Sequence, residues 1–73
     1  MAETMQEMIA AVRAHALKNY ERGGWDFIVE CWDDEDLEDA IGGCQSSFAA
    51  IRKVRSAIKP LAERRDEVRA EIF

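Results

Sequence analysis

The last third of the chain carries an apolar stripe that constrains the fold more than any other feature. Its positions alternate between spacings of three and four residues, and six of the seven are apolar. They are Ile51, Val54, Ile58, Leu61, Arg65, Val68 and Ile72. This spacing predicts a long helix from about Ser47 to Phe73, kinked or broken at Pro60. Unbroken, it would be roughly 40 Å long, which exceeds the width of a compact domain of this size, so we expect it to be broken or to pack against another chain.

A second helical pattern lies at the start of the chain. Thr4 and Glu7 fit a capping box, in which a side chain at the helix start bonds a backbone amide three residues on. An apolar stripe with helical spacing follows. It comprises Met5, Met8, Ile9, Val12, Ala16 and Tyr20. We therefore predict a helix from about Met5 to Arg22, ended by Gly23.

The segment from Trp25 to Trp32 alternates between two faces. One face would carry Trp25, Phe27, Val29 and Cys31, and the other mixes acidic residues with Ile28 and Trp32. Aromatic and β-branched residues at a period of two predict a β-strand. The chain offers no second strand of comparable quality. A lone strand leaves its backbone unpaired, so we expect it to pair with its copy in a homodimer or with a partner protein, or to lie extended across helices.

A short helix is predicted after the strand. Asp33 or Asp34 can cap it, Leu37 and Ile41 supply its apolar face, and glycines 42–43 end it. The expected fold is therefore mainly α with one short β-strand, in the order α-β-α-α. Its 73 residues form a single small domain, because chains of this length do not hold two cores.

The composition indicates the cellular location of such a domain and the state of its cysteines. No apolar run approaches the roughly 20 residues that cross a bilayer, and the N-terminus lacks the pattern of a signal peptide. A cytoplasmic location is the expectation. Cys31 and Cys44 are not spaced as a CxxC pair, and in a reducing compartment they are expected to be free, buried thiols; a disulfide or metal pair is the alternative.

Catalytic and cofactor motifs are absent from the sequence. His15, the single histidine, borders the first apolar stripe, where a structural role is expected. No glycine-rich phosphate loop or paired zinc-ligand spacing occurs, and the acidic run lacks the glycine and closing glutamate of a calcium loop. We therefore expect a protein that is not an enzyme and binds no cofactor or metal.

Charge is divided unequally along the chain, whose net charge is −5. Residues 1–41 hold eleven acidic residues against three basic ones, and residues 42–73 hold four against seven. Eight carboxylates fall within residues 26–39 without one basic residue. Such a cluster repels itself, and a cationic partner would relieve that repulsion. The alternative is a solvated acidic face that only caps a helix.

The acidic cluster and its neighbouring tryptophan form the predicted partner-binding site. Its residues are Asp26, Glu30, Trp32, Asp33, Asp34, Glu35, Asp36, Glu38 and Asp39. The expected partner is a basic protein surface, such as that of a nucleic-acid-binding complex, which the carboxylates would engage as a nucleic-acid mimic. Trp32 is the expected aromatic contact, since aromatic residues anchor many interfaces.

A different function is suggested by residues 36–54, whose pattern resembles a helix-turn-helix. The predicted DNA-binding residues are Arg52, Lys53, Arg55 and Lys59, within a unit that spans residues 46–59. This alternative is a small DNA-binding regulator. The neighbouring carboxylates would repel phosphate, which argues against direct binding of nucleic acid.

Two segments, YERGGWD (residues 20–26) and IVECWDDED (residues 28–36), carry a resemblance to known proteins. Over about residues 15 to 41 the chain is similar to short proteins of phages and mobile elements. In size and charge the chain also resembles the anti-CRISPR inhibitors. That resemblance implies a small non-enzymatic protein that occludes a nucleic-acid-binding surface of a host defence complex. It assigns no functional residue to this chain.

Overall fold

Four helices make up the fold of the described part of the chain. The computed structural model describes residues 3–72, and the side chains of residues 3–68. Its helices are α1 (Met5–Lys18), α2 (Trp25–Glu30), α3 (Asp34–Ile41) and α4 (Ser47–Ile72). The predicted α-β-α-α fold is wrong, because the second element is a helix and residues 3–72 contain no strand. The long C-terminal helix is present and packs against each of the other three.

The predicted strand forms α2 and the turn after it because its apolar residues also fit a helical period. The buried or half-buried apolar side chains with that spacing are Trp25, Ile28, Val29 and Trp32. They stand at i, i+3, i+4 and i+7, the spacing of one helix face. Alternation had placed Cys31 on the same face as Trp25 and Ile28 on the opposite face. Ile28 is fully buried and Cys31 is exposed.

The helical form of this segment also satisfies its own backbone. The amide of Phe27 donates to the carbonyl of Gly24 at 3.0 Å, and the amide of Cys31 donates to the carbonyl of Phe27 at 2.8 Å. No open strand edge remains in the described residues, so the argument for a homodimer from an unpaired strand no longer holds.

Helix α4 runs continuously through Pro60. Proline lacks an amide hydrogen, but its position is exposed, where water can reach the carbonyl that loses its helical partner. The face that α4 buries differs from the predicted stripe. Its fully or mostly buried residues are Ala50, Val54, Ile58 and Ala62, four apart. Leu61 and Val68 of the predicted stripe are 41% and 48% exposed.

Capping residues set where α1 and α3 begin and where α1 ends. The Thr4 hydroxyl accepts a hydrogen bond from the amide of Glu7 at 3.1 Å, as predicted. Helix α1 ends at Lys18, four residues before the predicted end. Asn19 is its C-cap, and both its amide and its side chain donate to the carbonyl of His15. Helix α3 begins after Asp33, whose carboxylate forms the N-cap.

One core joins the four helices. It is formed by Met8, Ile9, Val12, Ala16, Trp25, Ile28, Leu37, Ile41, Ala50, Val54 and Ile58. Every helix contributes at least two of these side chains, so α2 and α3 are held by burial even though each is shorter than an isolated helix that is stable in water. None of the described helices combines the length and the apolar character required to cross a membrane.

Gly24 allows α2 to begin close against α4. Its φ of +87° lies in the left-handed region, which favours glycine. A Cβ at Gly24 would stand 3.1 Å from the Cβ of Ala62 and 3.2 Å from the carbonyl oxygen of Ile58. A side chain at Gly24 would therefore push the two helices apart.

We predict that Gly24→Ala lowers the free energy of unfolding by about 2 kcal/mol or more, because it adds a steric clash to backbone strain. Gly43→Ala is the matched control, since Gly43 has a φ of +89° and open space around its Cβ position. That control should cost only about 1 kcal/mol from the left-handed conformation. Urea denaturation measures both, and equal losses would contradict the close packing of Gly24 against α4.

Two alanine substitutions test whether residues 25–30 form a helix or a strand. The two structures predict opposite orders for the loss in free energy of unfolding. Ile28→Ala should cost about 2–5 kcal/mol, because it leaves a cavity in the core. Cys31→Ala should change the free energy of unfolding by no more than about 0.5 kcal/mol, because that side chain is exposed. A larger loss from Cys31→Ala than from Ile28→Ala would favour the alternating strand.

Candidate functional site

The carboxylates of the predicted acidic site divide into two groups. Some are already bound to other parts of the chain, and the others face solvent on α3. This division decides which of them are available to a partner.

Asp26 is engaged in the contact between α2 and α4. Its Oδ2 accepts a hydrogen bond from Nη1 of Arg65 at 2.6 Å, and only 19% of its side chain is exposed. The same guanidinium lies over the ring of Phe27, 4.8 Å from its centroid. The hydrogen bond to Asp26 raises the pKa of Arg65 above its already high value. Asp26 therefore supports the fold and is not open to a partner.

Glu30 and three of the α3 carboxylates also have partners within the chain. Glu30 accepts a hydrogen bond from the hydroxyl of Tyr20, and this bond raises the pKa of Tyr20. Asp33 and Asp36 form a reciprocal capping box, each accepting from the other's backbone amide at 2.9 and 3.2 Å. Asp34 is bound by Arg13, which donates to it through Nη2 at 2.6 Å and Nε at 3.0 Å.

Arg13 fastens α1 to the connection between α2 and α3. Besides binding Asp34, its Nη2 donates to the backbone carbonyl of Trp32 at 3.3 Å. The guanidinium thus holds both residues that flank the start of α3. Asp34 remains largely exposed beyond this contact, so it still contributes to the negative potential of the surface.

Glu35, Glu38 and Asp39 form the open acidic face, the name used below for these three residues. They are exposed and stand at i, i+3 and i+4, so they share one side of α3. No basic side chain that the structure describes lies within 4.0 Å of them. Like charges at this spacing oppose helix formation slightly, and a cationic ligand would remove that cost.

A shallow cavity of about 550 Å³ opens beside the acidic face. It is lined by Cys31, Trp32, Asp36, Asp39 and Ala40. The Trp32 ring is half-buried and packs against the core, so it is held in place at the cavity wall. An aromatic ring with adjacent carboxylates suits the side chain of arginine or lysine, whose cation interacts with both. The structure thus brings Trp32, Asp36 and Asp39 of the predicted site together.

The four residues of the predicted DNA-binding unit are all exposed on α4, but they do not share one face. The ammonium of Lys53 donates to the carbonyl of Gly42 at 3.0 Å, which places its positive charge at the C-terminal end of α3. Arg52, Arg55 and Lys59 stand on a separate stripe at i, i+3 and i+7. Helices α3 and α4 pack together across the turn at residues 42–46.

Phe48 is a surface residue that sequence reasoning missed. It is 72% exposed, and the guanidinium of Arg52 lies 5.7 Å from its ring centroid. It stands four residues before Arg52, on the same stripe as the three cations. The sequence did carry a signal for this exposure, because Phe48 is a large apolar residue that does not fall on the predicted core stripe of α4.

The cysteines and the histidine differ in environment. Neither cysteine forms a disulfide. Cys44 is half-buried, whereas Cys31 is exposed, contrary to the prediction of two buried thiols.

His15 contacts Trp25 edge to face, with ring centroids 4.6 Å apart. Burial, and after it the charges of Arg55 and Lys18, lower the pKa of His15.

No family model, characterised protein or solved structure matches this chain. Its function is therefore inferred from its own residues and their placement.

The lowered pKa of His15 predicts a loss of stability in mild acid. The folded protein resists protonation of the imidazole, whereas the unfolded chain accepts a proton near the ordinary pKa of 6.5. The contribution of His15 is therefore complete above that value and falls as the pH drops through the lower pKa of the folded state. We expect urea denaturation at about pH 7.5 and pH 5 to show this decrease. His15→Gln should reduce it, and an unchanged pH dependence in that variant would contradict the role of His15.

Proposed function

We propose that this chain is a non-enzymatic interaction protein whose α3 binds a basic protein surface. The contact comprises the open acidic face and the Trp32 cavity beside it. The partner supplies arginine or lysine side chains, as the surface of a nucleic-acid-binding protein does. By occupying that surface the chain would act as a nucleic-acid mimic, which is the mode of inhibition of the anti-CRISPR type.

The observation that carries this proposal is the contrast between engaged and open carboxylates. Asp26, Asp33 and Asp36 are used in holding or capping helices, and Asp34 is bound by Arg13. Glu35, Glu38 and Asp39 have no such use in the described part of the chain, and Asp39 also lines the Trp32 cavity. Their grouping costs helix stability, and beside Asp39 the cavity offers a cation both charge and an aromatic wall.

An arginine side chain is the ligand that fits the Trp32 cavity best. Its planar guanidinium can stack flat on the Trp32 ring while donating to the carboxylate of Asp39, whereas a lysine ammonium has no planar face to stack. Trp32 is already held by the core, so little side-chain entropy would be lost when a partner binds. The open acidic face beyond the cavity would add attraction over a longer range and speed the encounter.

The proposal is tested by removing charge from the open acidic face alone. The variant is Glu35→Gln with Glu38→Gln and Asp39→Asn, which spares the carboxylates that cap α3. Binding of an arginine-rich peptide at low salt should weaken about tenfold, because three favourable charge contacts are lost. Nuclear magnetic resonance reports the site as well as the affinity, since the indole signal of Trp32 should shift while that of buried Trp25 stays in place.

A matched control removes the same charge from another exposed helix face. Glu63→Gln with Asp66→Asn and Glu67→Gln alters three exposed carboxylates of α4. This variant should retain most of the affinity. If it weakens binding as much as the α3 variant does, the attraction is a general effect of net charge and the proposed site is wrong.

A further inference from the structure

The exposed side of α4 carries an aromatic and basic stripe formed by Phe48, Arg52, Arg55 and Lys59, which the proposed function does not use. These residues stand at i, i+4, i+7 and i+11 and therefore follow one side of the helix. From Arg52 to Lys59 the stripe is roughly 10 Å long at 1.5 Å per residue. The buried row of α4, formed by Ala50, Val54, Ile58 and Ala62, runs beside this stripe.

Phe48 presents its ring to solvent. At 72% it is the most exposed of the large apolar side chains in the described part of the chain, and it takes no part in the core. The Arg52 guanidinium, 5.7 Å from the ring centroid, places a cation beside the aromatic face. An exposed ring next to arginine is the arrangement on which nucleic-acid bases stack.

The cations of the stripe lack a carboxylate partner among the side chains that the structure describes, since none of Arg52, Arg55 and Lys59 has a carboxylate within 4.0 Å. Arg13 and Arg65, in contrast, are both paired. Lys18 of α1 adds to the same positive region, since it and Arg55 are both close enough to His15 to lower its pKa.

The start of α4 is closed to an anion. The hydroxyl of Ser47 donates to the carboxylate of Glu3, and the Ser46 hydroxyl accepts from the amide of Ala49 at 3.2 Å. A phosphate at the helix N-terminus would meet the negative charge of Glu3. An anionic ligand is therefore directed to the side chains of Arg52, Arg55 and Lys59.

We propose that this stripe binds a short length of single-stranded nucleic acid, with one base stacked on Phe48 and phosphates at Arg52, Arg55 and Lys59. A single strand is favoured over a duplex because its bases are free to stack, whereas the ring of Phe48 has no such face to meet in a paired helix. The inference is independent of the acidic face, which lies on α3.

The cations and the Phe48 ring contribute separately to the affinity for a nucleic acid, and the salt dependence of binding distinguishes the two contributions. Three phosphate contacts with a single strand predict that log K falls with log salt at a slope of about −2. Stacking on Phe48 contributes affinity that salt does not affect. The net charge of −5 weakens the overall attraction, so binding is expected to be measurable mainly at low salt.

The experiment measures fluorescence anisotropy of labelled oligo-dT and oligo-U with the full chain over a series of salt concentrations. Arg55→Ala with Lys59→Ala should weaken binding and reduce the slope by about 1.4, at about 0.7 for each lost phosphate contact. Phe48→Ala should weaken binding about tenfold without altering the slope, and Phe48→Trp should retain it. A duplex of equal length should show no dependence on Phe48.

Two surface variants serve as matched controls. Arg64→Ala removes an exposed arginine of α4 that lies off the stripe, and Leu17→Ala removes an apolar side chain that is 64% exposed on α1. Both should bind as the unaltered chain does. The proposal is overturned if no salt-dependent binding occurs at low salt, or if Arg64→Ala has the effect of the stripe variants. It is overturned equally if Phe48→Ala leaves oligonucleotide affinity intact and instead changes the mass measured by light scattering, since the stripe is then a contact between copies of the chain.

Discussion

The rest of the fold depends on close packing along one row of α4. Ala50, Val54, Ile58 and Ala62 stand four apart and are buried, and the small side chain of Ala62 lets the chain approach the α4 backbone closely. At one end the chain enters α2 through Gly24, directly against Ala62. Because α4 contacts all three other helices, the positions of α1, α2 and α3 are each set relative to the same row.

Charge is used in two ways by this chain. The ion pairs of Arg13 with Asp34 and of Arg65 with Asp26 join segments that are distant in the sequence. Two of the carboxylates therefore help to hold the fold together. Of the charged residues that remain, the open acidic face lies on α3, and the cations Arg52, Arg55 and Lys59, which are unpaired among the described side chains, lie together on α4. The two surfaces can therefore serve different partners, since neither neutralises the other within the described residues.

Much of the helical content could be predicted from the sequence, and the one wrong element has a clear cause. The caps at Thr4 and Asp33 and the apolar period of α1 are local signals, which sequence shows directly. Residues 25–32 satisfy both a period of two and a helical period. Because α2 has only six residues, local sequence does not decide between helix and strand, and the tertiary packing that buries Ile28 does. Which carboxylates are free was not predictable, because the ion pairs join residues 21 and 39 positions apart.

The continuity of α4 through Pro60 has a consequence for how the molecule behaves in solution. The described helix spans 26 residues, and the molecule measures 49 × 20 × 19 Å. Its radius of gyration of 13.0 Å exceeds the roughly 11 Å expected of a compact chain of this length. An elongated particle experiences more friction than a sphere of equal mass. A monomer of 8.3 kDa should therefore elute early from a sizing column, at an apparent mass that resembles a larger globular species.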